Sequence, residues 1–193
     1  MRKYVTGYCL IIIILFSCQS SSVKNQQSPE EKVEVFPVTD FLLGQVNEIA
    51  VMPVTLLKIT NQGNHQDSQW ISRDSIHKLS IPFLFPVIDS AHFNKNYSAH
   101  SFLDQTVNAF TFTYDAIKSS SDTFPLTHVD VYIDPESRKV QRIYMIKEKS
   151  IEGKTRTQQL TWNTQDGFMI RTIIKDANDS VARIIEEKVL WKF

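Results

Sequence analysis

The sequence predicts an α+β domain in which an antiparallel meander sheet of five or six strands occupies the C-terminal half and short N-terminal helices cover it. Three observations predict this. From Ala109 onward, apolar side chains recur at every second residue, the spacing that places them on one face of a strand. Turn-forming clusters separate these runs at short intervals, which favours sequential antiparallel neighbours. Before that, Leu42, Val46, Ile49 and Ala50 recur at helical spacing instead.

Taken in order, Thr39 or Asp40 is placed to cap the first helix, and Pro53 should end it. Val54 to Thr60 is compatible with a strand, Asn61-Gln62-Gly63-Asn64 with a turn, and Ser68 to Ser72 with a returning strand that carries Trp70. Asp74 or Ser75 should cap a short helix with Ile76, Leu79 and Phe83 on one face, cut short by Pro82 and Pro86. Val87 to Ser101 has no clear period and reads as irregular. Phe110, Phe112 and Tyr114 then share one strand face, and Val129, Val131 and Ile133 alternate with His128, Asp130 and Tyr132. Asp134-Pro135-Glu136-Ser137 is a turn with proline at its second position. Strands follow over Val140–Lys149, Thr155–Trp162, Phe168–Lys175 and Arg183–Phe193, with Asp166-Gly167 marking a hairpin.

The start of the chain is organised differently. Arg2 and Lys3 precede an apolar run from Val5 to Phe16. That run suits the core of a signal peptide, whereas a membrane-spanning helix takes about 20 residues. Ser17 and Cys18 close it, and Cys9 is the only other cysteine, so no disulfide forms in a chain cut before Cys18. Leu15-Phe16-Ser17-Cys18 resembles the lipobox of bacterial lipoproteins. The resemblance covers the start of the chain alone, and it implies cleavage before Cys18 and acylation of its thiol. Gln19 follows, where Asp in some Gram-negative members marks inner-membrane retention, so the resemblance implies an outer-membrane anchor with the domain facing the periplasm. The expected organisation is a signal peptide over 1–17, a lipidated Cys18 with a polar tether over 18–34, and one globular domain over 35–193.

Lysine plus arginine and aspartate plus glutamate both number 21, so no basic excess points to nucleic acid. Loss of Arg2 and Lys3 leaves 19 basic against 21 acidic side chains. Candidate chemistry is sparse. Ser75-Ile76-His77-Lys78 has the S-x-x-K spacing without its companion elements, so Ser75 reads better as a helix cap. Gly153-Lys154-Thr155 lacks the upstream glycine of a phosphate loop, where Glu148 stands, and reads as a hairpin turn. His65, His77, His92, His100 and His128 are scattered; His92, His100 and Asp104 are the set nearest to a metal site, and surface positions are the expectation. Glu187 shares strand parity with Ile185, Val189 and Trp191, so a buried carboxylate there would need a partner. Val189, Trp191 and Phe193 echo the last strand of an outer-membrane barrel, but the charged strands are too few to build one.

No catalytic constellation, cofactor or metal is predicted. The expected function is therefore a lipid-anchored envelope protein acting as a non-catalytic binding or accessory module. Its partners would be the membrane, through Cys18, and an envelope protein or apolar ligand. One alternative is a carrier of a lipid or other apolar ligand in a cavity under the sheet, with Phe110, Phe112 and Tyr114 lining it. The other is an envelope enzyme with a cleft of convergent polar groups.

Overall fold

The computed structural model describes residues 35–88, 96–117, 126–151, 153–178 and 180–191. Cys18, the signal segment, the tether, His92 and Phe193 lie outside them. The described residues belong to one compact unit. Helix α1 spans Val38–Val51 and is followed by the hairpin β1 (Leu56–Gln62) and β2 (His65–Ile71). A 3-10 turn at Arg73–Ser75 leads into two four-residue helices, α2 (Ile76–Leu79) and α3 (Ile81–Leu84). Among the described residues seven strands follow: β3 (Tyr97–Asp104), β4 (Ala109–Ala116), β5 (Leu126–Ile133), β6 (Val140–Ile151), β7 (Lys154–Asn163), β8 (Gly167–Lys175) and β9 (Val181–Leu190).

All nine strands form one antiparallel sheet in the order β2-β1-β9-β8-β7-β6-β5-β4-β3. The antiparallel meander is as the sequence predicts, but the strand count and the helical cover are not. The six strands from Ala109 onward gain β3 on one side, while the β1–β2 hairpin docks on the other, with Leu57 opposite Leu190 and Lys58 opposite Val189. The reason is that β9 has one free side once it has paired with β8, and β1 satisfies its backbone there. β3 is missing from the sequence reading because it is an edge strand. Ser98, His100, Ser101, Phe102 and Leu103 are exposed, so burial imposes no alternation on it.

Cross-strand partners define an inner face with Tyr114, Val129, Val131, Ile143, Met145, Leu160, Trp162, Phe168, Ile170 and Val189. These side chains form the core with Val38, Leu42, Val46 and Ile49 of α1, and with Ile76 and Phe83 of the short helices. The cover is partial: farther along the same face, β2 offers the exposed residues His65, Asp67 and Gln69. Bulges keep the register in step with burial. One at Thr127 lets Leu126 and Val129, three residues apart, both face the core.

Two helix caps differ from expectation. Pro37 precedes α1, without a side-chain cap, and Thr39 instead accepts a hydrogen bond from the Ile88 amide at 2.8 Å. Ser75 stands at the N-cap of α2, as expected, but makes no side-chain cap bond, and Ser72 caps the preceding 3-10 turn by accepting from the Asp74 amide. Pro82 sits in the first turn of α3 rather than ending a helix, because a missing amide hydrogen is harmless there.

Gly167 begins β8 where the sequence places a hairpin, but not because the backbone there is left-handed. A Cβ on Gly167 would meet the Val189 carbonyl oxygen and lie 3.0 Å from Leu190 Cα, so the two strands approach closely only because no side chain intervenes. Gly167→Ala is expected to cost about 1–3 kcal/mol in urea unfolding, through forced separation of β8 and β9.

Candidate functional site

A groove of about 890 Å³ opens beside helix α1. Helix α1 supplies one wall through Phe41, Gln45, Glu48 and Ile49, with Met52 just past its end, and the β5–β6 turn supplies the other. Phe36 and Trp191 add aromatic surface, and Thr164 and Gln165 come from the β7–β8 turn. Phe36 and Phe41 lie with ring centroids 5.7 Å apart, and Trp191 leans on Trp162, 5.4 Å away, at the edge of the core. The opposing turn is built by Asp134. Its Oδ1 accepts from the amides of Ser137 at 2.6 Å and Glu136 at 3.1 Å, and its Oδ2 from Gln141 at 2.8 Å. The Ser137 amide leads the bonds that hold this exposed carboxyl below the usual carboxylate range. The same bonds fix the turn that presents Arg138 and Lys139 to the groove. The site therefore combines an apolar floor with a rim of both charges, an arrangement suited to an amphipathic ligand.

A second polar assembly lies on the outer face of the sheet. His128 on β5 sits between two carboxylates, its Nδ1 2.7 Å from Asp115 on β4 and its Nε2 2.9 Å from Asp130. Asp130 also accepts from Thr113 at 2.6 Å and Tyr132 at 3.1 Å, and the Arg142 guanidinium lies 4.0 Å above the Tyr132 ring. The Asp130 hydrogen bond outweighs burial and, with Asp115, pushes the His128 pKa up to about 9. Burial opposes ionisation of Asp130, yet bonds from His128, Thr113 and Tyr132 hold its carboxyl below its ordinary range. The assembly has charge and hydrogen bonds but no nucleophile with an adjacent free base, because both imidazole nitrogens are engaged. Sequence alternation places His128, Asp130 and Tyr132 on one face; the partners Asp115 and Thr113 depend on the β4–β5 register, which no local pattern encodes.

The remaining candidates disperse. Phe110, Phe112 and Tyr114 do share the inner face, but Phe110 is exposed, Phe112 is half-buried, and Tyr114 is buried. The Tyr114 hydroxyl accepts from the Phe36 amide at 3.0 Å, which ties the start of α1 to β4. None of the three lines the α1 groove. Glu187 has the partner its parity calls for, Lys58 Nζ on β1 at 2.9 Å. Lys147 is a site that the sequence reading missed. It lies on the inner face, and its ammonium donates to the carbonyls of Pro82 and Phe85, pinning α3 against the sheet, while burial lowers its pKa to about 8. Ser75 is half-buried without a capping bond and Lys78 is exposed. Gly153 holds a left-handed conformation, φ +73°, in the β6–β7 turn. His65, His77 and His100 are exposed, and among the described residues no three acidic, histidine or cysteine side chains converge as metal ligands. Comparison with family models, with curated proteins and with solved structures found no match for this chain.

Proposed function

We propose that this chain is a lipid-anchored cell-envelope protein of the outer membrane whose periplasmic domain is a non-catalytic binding or accessory module. The observation that carries the binding role is the α1 groove, with Phe36, Phe41 and Trp191 as its aromatic surface and Glu48, Arg138 and Lys139 on its rim. Its size is that of a pocket for a small ligand or for a short amphipathic segment of an envelope partner. The lipobox residues Leu15 to Cys18 support the anchor. A non-catalytic role fits a groove whose polar groups serve turns and rims rather than converging on one point.

Two measurements test this. Residues 19–193 should bind the neutral apolar fluorophore N-phenyl-1-naphthylamine with enhanced emission. Gln45→Trp, which places a ring in the groove from the α1 wall, should weaken that binding by about tenfold or more, the scale of burying one aromatic side chain. Mass spectrometry of the full chain taken from membranes should find a diacylglyceryl thioether on Cys18. Equal fluorophore binding by both proteins would remove the groove from the proposal, and an unmodified thiol would remove the anchor.

A carrier role is the second reading, and it draws on the exposure of Phe110 at the open end of the face shared with Phe112 and Tyr114. It predicts a lipid that copurifies with the full chain and survives Gln45→Trp.

A further inference from the structure

We propose that the tip of the β3–β4 hairpin, carrying Phe102, Leu103, Val107 and Phe110, docks on the surface of the lipid bilayer to which the chain is tethered. The proposal rests on the anchored reading above and adds a second membrane contact to it.

Among the described residues, Ile81, Phe85 and Val87 around α3 form one exposed apolar group, and most of the others outside the β3–β4 hairpin stand singly. The hairpin tip is different. Within nine residues it exposes Phe102 at 50%, Leu103 at 47%, Val107 at 44% and Phe110 at 47%. Leu103 and Phe110 are direct cross-strand partners, and Phe110 pairs onward with Ile133, so three apolar side chains run in a row across β3, β4 and β5. The turn beneath them is fixed: Asp104 Oδ1 accepts from the Thr106 amide at 2.8 Å, and Asn108 takes φ +48° to close it. Asp104 is the only charged residue between Phe102 and Phe110, and its Oδ1 is engaged in that turn. A rigid, nearly uncharged, aromatic-bearing tip is what an interface between water and hydrocarbon accepts.

The path of the chain selects a bilayer as the occupant. The tether enters the domain at Val35 and Phe36, and Phe36 is bonded to Tyr114 of β4. Phe110 lies on the same strand and the same face, four residues away, roughly 13 Å at the rise of a strand. The sixteen residues from Gln19 to Glu34 reach at most roughly 55 Å when fully drawn out. A bilayer holding Cys18 is therefore within reach of the tip, and the second contact becomes intramolecular at high effective concentration.

The test uses residues 19–193, which lack Cys18 and cannot be acylated; the compact unit with its own core lies within them. Vesicles of phosphatidylcholine, with and without phosphatidylglycerol, are sedimented with the protein at millimolar lipid. The wild type should cosediment with both vesicle types. Phe102→Ser/Val107→Ser/Phe110→Ser, at three exposed positions, should lower the partition by about tenfold or more. Phe102→Trp should shift its emission to the blue on vesicles, whereas Val181→Trp, exposed beyond the opposite end of the sheet, should not. Wild type left in the supernatant, or a triple variant that binds equally, overturns the proposal. So does a concentration-dependent dimer that the triple variant abolishes without any vesicle binding, because the tip then belongs to a second copy of the chain. The acyl group on Cys18 is read separately in the full chain, so loss of the anchored reading and loss of tip docking are distinguishable.

Discussion

Trp162→Ala should lower the unfolding free energy by about 3–5 kcal/mol. Trp162 is fully buried on β7, the middle of the sheet, and its ring is the hub of the aromatic cluster. Phe83 of α3 meets it edge-on at 5.3 Å, Phe168 stacks on it at 5.3 Å, and Trp191 tilts against it at 5.4 Å. Truncation leaves a hole that neither the sheet backbone nor a four-residue helix can collapse to fill. Against a typical domain stability of about 5–15 kcal/mol the loss is large. Trp162→Phe separates the contributions, because the indole Nε1 is buried with no hydrogen-bond partner and its removal relieves that cost while leaving a smaller void. The phenylalanine variant should therefore lose less than half as much. Because Trp191 leans on Trp162 and also lines the α1 groove, the alanine variant should bind N-phenyl-1-naphthylamine more weakly as well. Urea unfolding of residues 19–193 checks the order, and an alanine variant within 1 kcal/mol of wild type would contradict the packing described.

The second large effect is a pH-dependent one. His128 titrates near 6.5 when unfolded and at about 9 in the fold, so its folded pKa is raised. Its contribution is thus fully present below pH 6.5, declines above it, and is lost as pH rises through about 9. A shift of that size, discounted because the Asp115 side chain is half exposed to screening solvent, corresponds to about 2 kcal/mol. His128→Gln should therefore be less stable than wild type by about that amount at pH 6, and the gap should close towards pH 10. The groups facing His128 are Asp115, Asp130, Thr113, Tyr132 and Tyr144, with Arg142 over Tyr132. Lys147 acts in the opposite direction, since its lowered pKa adds stability as pH rises from about 8 towards 10.5. For that reason the measured quantity is the difference between wild type and variant at each pH. A gap of constant size from pH 6 to pH 10 would show that His128 packs without carrying charge.

What the local sequence determines here is periodicity and punctuation. Alternation along Phe110–Tyr114, Val129–Ile133 and Phe168–Ile174 assigns both strand and face, because on a sheet with one covered face a slip of one residue would expose every core side chain. Asp134 and Gly167 mark their turns, the one by hydrogen-bonding its own backbone and the other by having no Cβ. The spacing of Leu42, Val46 and Ile49 fixes the buried side of α1. Contacts between distant segments were decided only by the tertiary structure. The β1–β2 hairpin reads locally as a pair on its own, and its place beside β9 follows from backbone groups that β9 leaves unsatisfied more than a hundred residues later. β3 escapes notice because solvent, not a core, borders it. The clamp on His128, the Lys147 tie to α3 and the α1 groove each join side chains that only register and packing bring within reach, and charge and hydrogen bonding act over a few ångströms of space whatever the separation along the chain.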